Sequence, residues 1–287
     1  MKKGYLLVLM TALISGVSIF VNKFGISMNS PASFVFLKNL TVGLLLVGII
    51  VGLKRFKELK ALRTKQWLKL SVVGLIGGSI PFIMFFSGLK LGEPAMASFL
   101  HKSLFVFVLG ISLFLGRKMS WKVPVFGLLI LVGNALLLKV AKFSFGYGEM
   151  LILGAVILWA SEVVYSKHLM KDLSSEVVAF GRMFFGAVFV GAYLLVTGNT
   201  VAITLQGAGW IMITSLFLLG YVFTFYKGLS YISPIEATTI LTLGAPITFL
   251  LSIVTGSVFS IVQLLGVGAI VSGIILVRPQ QQNQDVC

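Results

Sequence analysis

The chain has 287 residues, 58% of them hydrophobic, with mean hydropathy +1.06 and only 11% charged. A water-soluble domain carries about a quarter charged residues, so an ordinary soluble globule is excluded. The 23 Lys and Arg against 8 Asp and Glu give a formal charge of +15, which in a soluble protein would point to nucleic acid.

Met1, Lys2 and Lys3 followed by the apolar run 4–21 resemble the start of a secretion signal, but the run is too long and no cleavage site closes it. It reads as a retained first helix. Continuing along the chain, apolar runs broken by Gly, Pro or charge clusters predict ten membrane spans at 4–24, 33–53, 68–88, 94–115, 122–140, 148–167, 177–197, 208–228, 234–255 and 260–277. A span needs about 20 mainly apolar residues. Backbone groups in hydrocarbon must bond internally, and these runs are about twice the length of a barrel strand, so the expected class is all-α integral membrane. The one cysteine, Cys287, excludes an intrachain disulfide framework and a cysteine metal cluster. No metal or cofactor is expected.

With the N-terminus placed in the cytoplasm, the alternate connections on that side hold sixteen basic residues: Lys2, Lys3, Lys54, Arg55, Lys57, Lys60, Arg63, Lys65, Lys69, Arg117, Lys118, Lys122, Lys167, Lys171, Lys227 and Arg278. The opposite side holds four, Lys23, Lys90, Lys139 and Lys142. The positive-inside bias therefore predicts both termini in the cytoplasm of a cytoplasmic (inner or plasma) membrane. It also accounts for most of the basic excess without a nucleic-acid partner. Anionic headgroups would attract the 54–69 cluster.

The two halves of the chain resemble each other. Residues 15–38 slide onto 159–182 at an offset of 144, laying Lys23 over Lys167 and Lys38 over Arg182. At an offset of 140, Ser87-Gly88-Leu89 and Glu93-Pro94 fall on Lys227-Gly228-Leu229 and Ser233-Pro234. The expected division is a first five-helix repeat over 1–140, a second over 146–278 and a cytoplasmic tail over 279–287. An odd number of spans makes the second copy enter from the opposite side. Such inverted repeats are a signature of secondary transporters, with the substrate site between the halves near mid-membrane.

These features carry a family resemblance: Lys23 and Lys167 ending the first and sixth spans, Lys38 and Arg182 in the second and seventh, Gly148-Glu149 before Trp159-Ala160, and Pro246 in span nine. The chain resembles the EamA-type transporters of the drug/metabolite transporter superfamily over nearly its whole length. The resemblance implies a central cavity between spans four and nine. It departs from the family at Val106, where the second repeat has Pro246, and at His101-Lys102, where many relatives have small or apolar residues.

A charged side chain at a helix centre costs about 2.5–3.5 kcal/mol on insertion scales, so such residues face a bundle interior or a wet cavity. Ser98, His101 and Lys102 in span four form one polar stripe. Lys102 either attracts a carboxylate or phosphate or makes a structural ion pair; His101 either binds substrate or relays a proton, or else bonds a neighbouring carbonyl. Glu236, Thr239, Thr242 and Pro246 share a face of span nine, where Pro246 frees the Thr242 carbonyl; the alternative is a kink satisfied by the threonines, with Glu236 at the cytoplasmic rim. Under the 140 offset Lys102 falls on Thr242. Glu162 on span six is the deepest other carboxylate, a partner for Lys102 or Arg182 or the carrier of a coupling proton. Lys38 and Arg182 are assigned to coupling or gating with Glu162 and Glu236. Glu149 caps a helix, and Trp67, Trp121 and Trp210 read as interfacial anchors. Trp159 and Tyr226 either line the path or pack.

HExxH, Walker A, GxSxG and CxxC sequences are all lacking, so neither an enzyme nor an ATP-driven pump is expected. The expectation is a ten-helix secondary carrier, monomer or homodimer, that exports or exchanges a small polar metabolite in the bilayer. An amino acid or organic anion is favoured, because Lys38, Lys102 and Arg182 outnumber Glu162 and Glu236. The alternative is a channel or a receptor and assembly scaffold, although no selectivity-filter-like loop is evident.

Overall fold

The computed structural model describes residues 2–27, 30–91, 94–117, 119–140, 146–199, 201, 205–256 and 258–282. Lys118, Lys142 and Cys287 lie outside this set, as do the side chains of Lys23, Lys90 and Arg278. Among the described residues every regular element is helical.

The elements run α1 (Lys2–Ser27), α2 (Pro31–Gly52), α3 (Phe56–Lys60), α4 (Thr64–Val73), a π-turn (Gly74–Ser79), α5 (Ile80–Leu91), α6 (Pro94–Lys102) and α7 (Leu104–Phe114). Then follow α8 (Lys122–Leu137), α9 (Tyr147–Leu169), α10 (Ser175–Val196), α11 (Leu205–Tyr231), α12 (Pro234–Leu241), α13 (Gly244–Val254) and α14 (Ile261–Gln282). Among the described residues seven stretches are long and apolar enough to cross a membrane: Pro31–Gly52, Thr64–Leu89, Met96–Phe114, Tyr147–Leu169, Ser175–Val196, Leu205–Tyr231 and Pro234–Val254. Lys122–Leu137 and Ile261–Val277 are shorter apolar helices. The chain is therefore a multi-pass membrane protein. Leu6, Leu44, Leu128, Leu195, Leu205 and Val254 are exposed on its outer surface, which hydrocarbon accommodates and water would not.

Local sequence explains the helix ends. Ser30, with Pro31 at the first helical position, accepts a bond from Ser33 N at 3.3 Å. Its equivalent at the 144 offset, Ser174, accepts from Val177 N at 3.4 Å. Ser233, Pro234 and Glu236 close a capping box on α12. Glycines in the left-handed region follow α7, α10 and α13, at Gly116 (φ 77), Gly198 (φ 65) and Gly256 (φ 92).

Three expected spans are not single regular helices. The run 68–88 begins earlier, at Thr64, and widens into the π-turn before α5. The run 94–115 is divided at Ser103. Span nine breaks at Thr242–Leu243 between α12 and α13, four residues before Pro246, as loss of the proline N–H dictates.

Packing repeats itself. α1 lies against α11 and α13, just as α9 lies against α5 and α7; α2 faces α10, and α8 faces α14. The backbones meet at glycines. A Cβ added to Gly88 would stand 2.5 Å from the Gly148 carbonyl oxygen, and one added to Gly228 would stand 3.2 Å from that of Gly4. Under the 144 and 140 offsets these are equivalent contacts, and small residues are what allow such approach.

Candidate functional site

A cavity of about 600 Å³ opens inside the bundle. Its walls include the C-terminal half of α1, the N-terminal half of α2, α5, α6, the middles of α9 and α11, and α13, with Leu104 of α7, Leu137 of α8, Arg182 of α10 and Gln263 of α14. Of the residues chosen from the sequence, Lys38, Ser98, His101, Lys102, Trp159, Glu162 and Arg182 line it.

Lys102 is 9% exposed and makes no hydrogen bond or ion pair among the described residues. Its ammonium faces the break in span nine: a Cβ added to Gly244 would be 3.4 Å from Lys102 Nζ and 3.4 Å from Ser15 Oγ. The adjacent His101 ring packs 5.3 Å from Phe85 and 5.3 Å from Trp159, centroid to centroid. Phe82 stands 5.2 Å from Trp159, edge to face.

Lys38 Nζ donates to Asn22 Oδ1 at 2.9 Å and sits 4.7 Å over the Phe34 ring. Asn22 in turn donates to Ser18 Oγ at 3.1 Å. On the opposite wall, the Tyr226 and Ser166 hydroxyls both donate to Glu162 Oε1. The Arg182 guanidinium lies 6.0 Å from the Tyr226 ring centroid. Arg182 Nη2 and Trp159 Nε1 donate to the Gly77 carbonyl at 3.1 and 3.0 Å, and Arg182 Nε has no partner.

Gly77 is thus a hub that the sequence reading passed over. A π-turn releases a carbonyl from the ordinary helical ladder, and here that oxygen takes two donors from two other helices. Gly77 must stay bare, since a Cβ there would come within 2.5 Å of Glu162 Cγ and 3.1 Å of Arg182 Nε. The signal available was the run Gly74-Leu75-Ile76-Gly77-Gly78-Ser79.

Four sequence-chosen residues lie away from the cavity surface. Thr239 and Thr242 are buried, and the Thr242 hydroxyl donates to the Thr239 carbonyl at 2.6 Å. Tyr226 acts on Glu162 from behind. Glu236 stands at the face where α1 begins, accepting from the Tyr5 hydroxyl and from Ser233 N.

That face is closed by further polar contacts. Lys227 pairs with Glu176 at 2.8 Å, Arg55 approaches Glu176 at 3.6 Å, and Glu58 accepts from Ser174 N at 2.7 Å. Lys167 Nζ caps the α11 carbonyls of Leu229 and Ser230 at 2.8 and 3.1 Å. All three ion pairs among the described residues lie here. Glu149 accepts from Gly146 N at 3.0 Å as a helix cap. Trp121 is exposed, while Trp67 packs edge to face on Phe185.

The EamA-like transporter family profile matches residues 2–139 and again residues 146–278. Twenty-nine solved chains resemble the structure. One, a crystal structure of a protein, aligns with a TM-score of 0.82 at 16% identity, covering 97% of this chain and 98% of that one; this likeness speaks to fold. No curated protein sequence matches. The chain belongs to the EamA-like transporter family, within the drug/metabolite transporter superfamily.

Proposed function

We propose that this member of the EamA-like transporter family is a secondary carrier of the cytoplasmic membrane that exports or exchanges a small polar metabolite, an amino acid or organic anion, by alternating access. Ten spans are counted by adding α1, α8 and α14 to the seven long apolar stretches. The halves 1–140 and 146–278 are inserted with opposite orientation, and the termini and the tail 279–287 lie in the cytoplasm. The twofold family match and the mirrored packing support this reading. With α1 beginning in the cytoplasm, the polar lock is the cytoplasmic gate and the cavity faces the outside.

The observation that carries the reading is Lys102, a buried ammonium that faces an internal cavity and has no partner among the described residues. A charge held in that position costs stability, and an arriving anion offsets the cost. Ser98, His101 and Trp159 complete the substrate wall; Thr239, Thr242 and Tyr226 back it. Glu162 is assigned to the coupling proton, and Lys38, Arg182 and Glu236 to gating. Replacing Lys102 with Ala is expected to abolish transport while leaving membrane insertion intact.

The deciding measurement is counterflow in proteoliposomes. A carrier accelerates labelled uptake when unlabelled substrate is trapped inside; uptake without that acceleration marks a channel, and no uptake a receptor or scaffold. For coupling, Glu162→Gln should remove stimulation by an imposed proton gradient while exchange persists. Stimulation that survives removes Glu162 from that role.

A further inference from the structure

We propose that the carried molecule is an organic carboxylate with an apolar, ring-bearing body and no α-ammonium group. This rests on the carrier reading and narrows it, because an amino acid and a simple organic anion differ in what they demand of the cavity.

Among the described residues three cations line the cavity, and Arg182 stands on the Glu162 side with Nη2 on the Gly77 carbonyl, which leaves Lys102 and Lys38 in series on the other. Lys102 Nζ lies at the level of Ser15, since both meet the same point on Gly244. Lys38 is held at Asn22, seven residues farther along α1, which is about 10 Å farther from the face where α1 begins. Lys38 already has the Asn22 carbonyl oxygen and the Phe34 ring. Lys102 has neither, so it is the terminal partner for a carboxylate, with Lys38 as the first cation met on entry.

The wall beside Lys102 is aromatic. His101 joins Phe85 and Trp159, and Phe82 extends the group. A planar apolar body attached to the carboxylate would rest against these rings.

Among the described residues no free carboxylate is available as a counter-charge for an ammonium. Among the described carboxylates only Glu162 lines the cavity; it is 1% exposed and its Oε1 takes the Tyr226 and Ser166 hydroxyls. Glu58, Glu149, Glu176 and Glu236 are engaged elsewhere. An α-ammonium, fixed beside the bound carboxylate, would stand close to the Lys102 ammonium with no counter-charge, and like charges in a low-dielectric site repel strongly.

The test uses the full-length protein and four labelled probes: hydrocinnamate, its α-amino analogue phenylalanine, phenethylamine and propanoate. Binding is read by tryptophan fluorescence in detergent and transport by counterflow in proteoliposomes. Hydrocinnamate is expected to bind at least about tenfold more tightly than each of the others, to lose binding in Lys102→Met and to regain it in Lys102→Arg. Equal or tighter binding of phenylalanine overturns the proposal, as does hydrocinnamate binding that ignores Lys102 or an absence of hydrocinnamate binding. Lys102-dependent hydrocinnamate binding without counterflow would instead overturn the carrier reading and leave the ligand class standing.

Discussion

At the 144 offset, Lys38, Asn22 and Ser18 of the first half stand where Arg182, Ser166 and Glu162 stand in the second, and at the 140 offset Phe86 stands where Tyr226 does. In the first half Lys38 donates to Asn22 on α1 and Asn22 donates to Ser18 one turn back; in the second Ser166 donates to Glu162 one turn back on α9, while Arg182 donates to the Gly77 carbonyl. In the second half the chain of contacts ends on a carboxylate fixed by Tyr226 and Ser166, with Arg182 beside it. In the first it ends on a serine hydroxyl, with Lys38 on a neutral amide. One copy of the scaffold has its charge balanced internally and the other leaves a cation for something else to meet. Lys102, whose equivalent is Thr242, adds to the same side.

The ends of the bundle differ in the same way. Glu176, Lys227 and Glu236 lock the face where α1 begins, but their equivalents at the other face are Ala32, Ser87 and Met96. The two ends of the bundle therefore differ in chemistry, ionic at one and, among the described residues, without ion pairs at the other.

The comparison breaks most visibly at Arg182. Arg182→Met removes the guanidinium beside Glu162 together with its bond to the Gly77 carbonyl, and a hydrogen bond made by a charged group is worth about 1.5–3 kcal/mol. Lys38→Met removes a charge that has no acid and should cost far less. Thermal unfolding in detergent should rank them clearly, and equal losses would show the two triads to be energetically alike. Adding Glu162→Gln to Arg182→Met should recover much of the loss. Gly77→Ala comes next, at about 1–3 kcal/mol, because its methyl meets Glu162 and Arg182; the same melting experiment reads it. Ser18→Glu sharpens the contrast by giving the first half the acid it lacks. Lys38 should then pair internally, and the half-saturation concentration for anion counterflow should rise about tenfold, or about 1.4 kcal/mol. An unchanged value would mean that Lys38 takes no part in entry. Smallest is Glu176→Gln, which loosens one partly exposed lock. A cysteine introduced at Thr239, with Cys287 removed, should label a few times faster from the face where α1 begins, whereas an unchanged rate would show that Glu176 does not hold that face closed.

Much of this was legible in the residues. Apolar runs placed the helices, and the offsets placed the equivalences, because hydrocarbon forces both composition and repeat spacing. Ser98, His101 and Lys102 were found because a charge amid apolar residues in a span needs a reason. Periodicity gives a face but not what the face meets, so the bond of the Thr242 hydroxyl to the Thr239 carbonyl could not be read from it. Asn22 reaching Lys38, and Gly77 collecting Trp159 and Arg182, depend on contacts across 16, 82 and 105 residues of chain that local pattern does not encode. The exchange of Ser18 for Glu162 was readable from the 144 offset, had the polar positions been followed pair by pair.

The glycine seams bear on how such a molecule can change shape. Gly4 against Gly228 welds the first helix of one copy to a helix of the other, and Gly148 against Gly88 does the reverse. With backbones that close, sliding along either seam would require a glycine to be exchanged for bulk at each step. Under the proposed alternating access, any block that rocks would accordingly be a hybrid of the two halves, and neither 1–140 nor 146–278 expressed by itself would contain one whole.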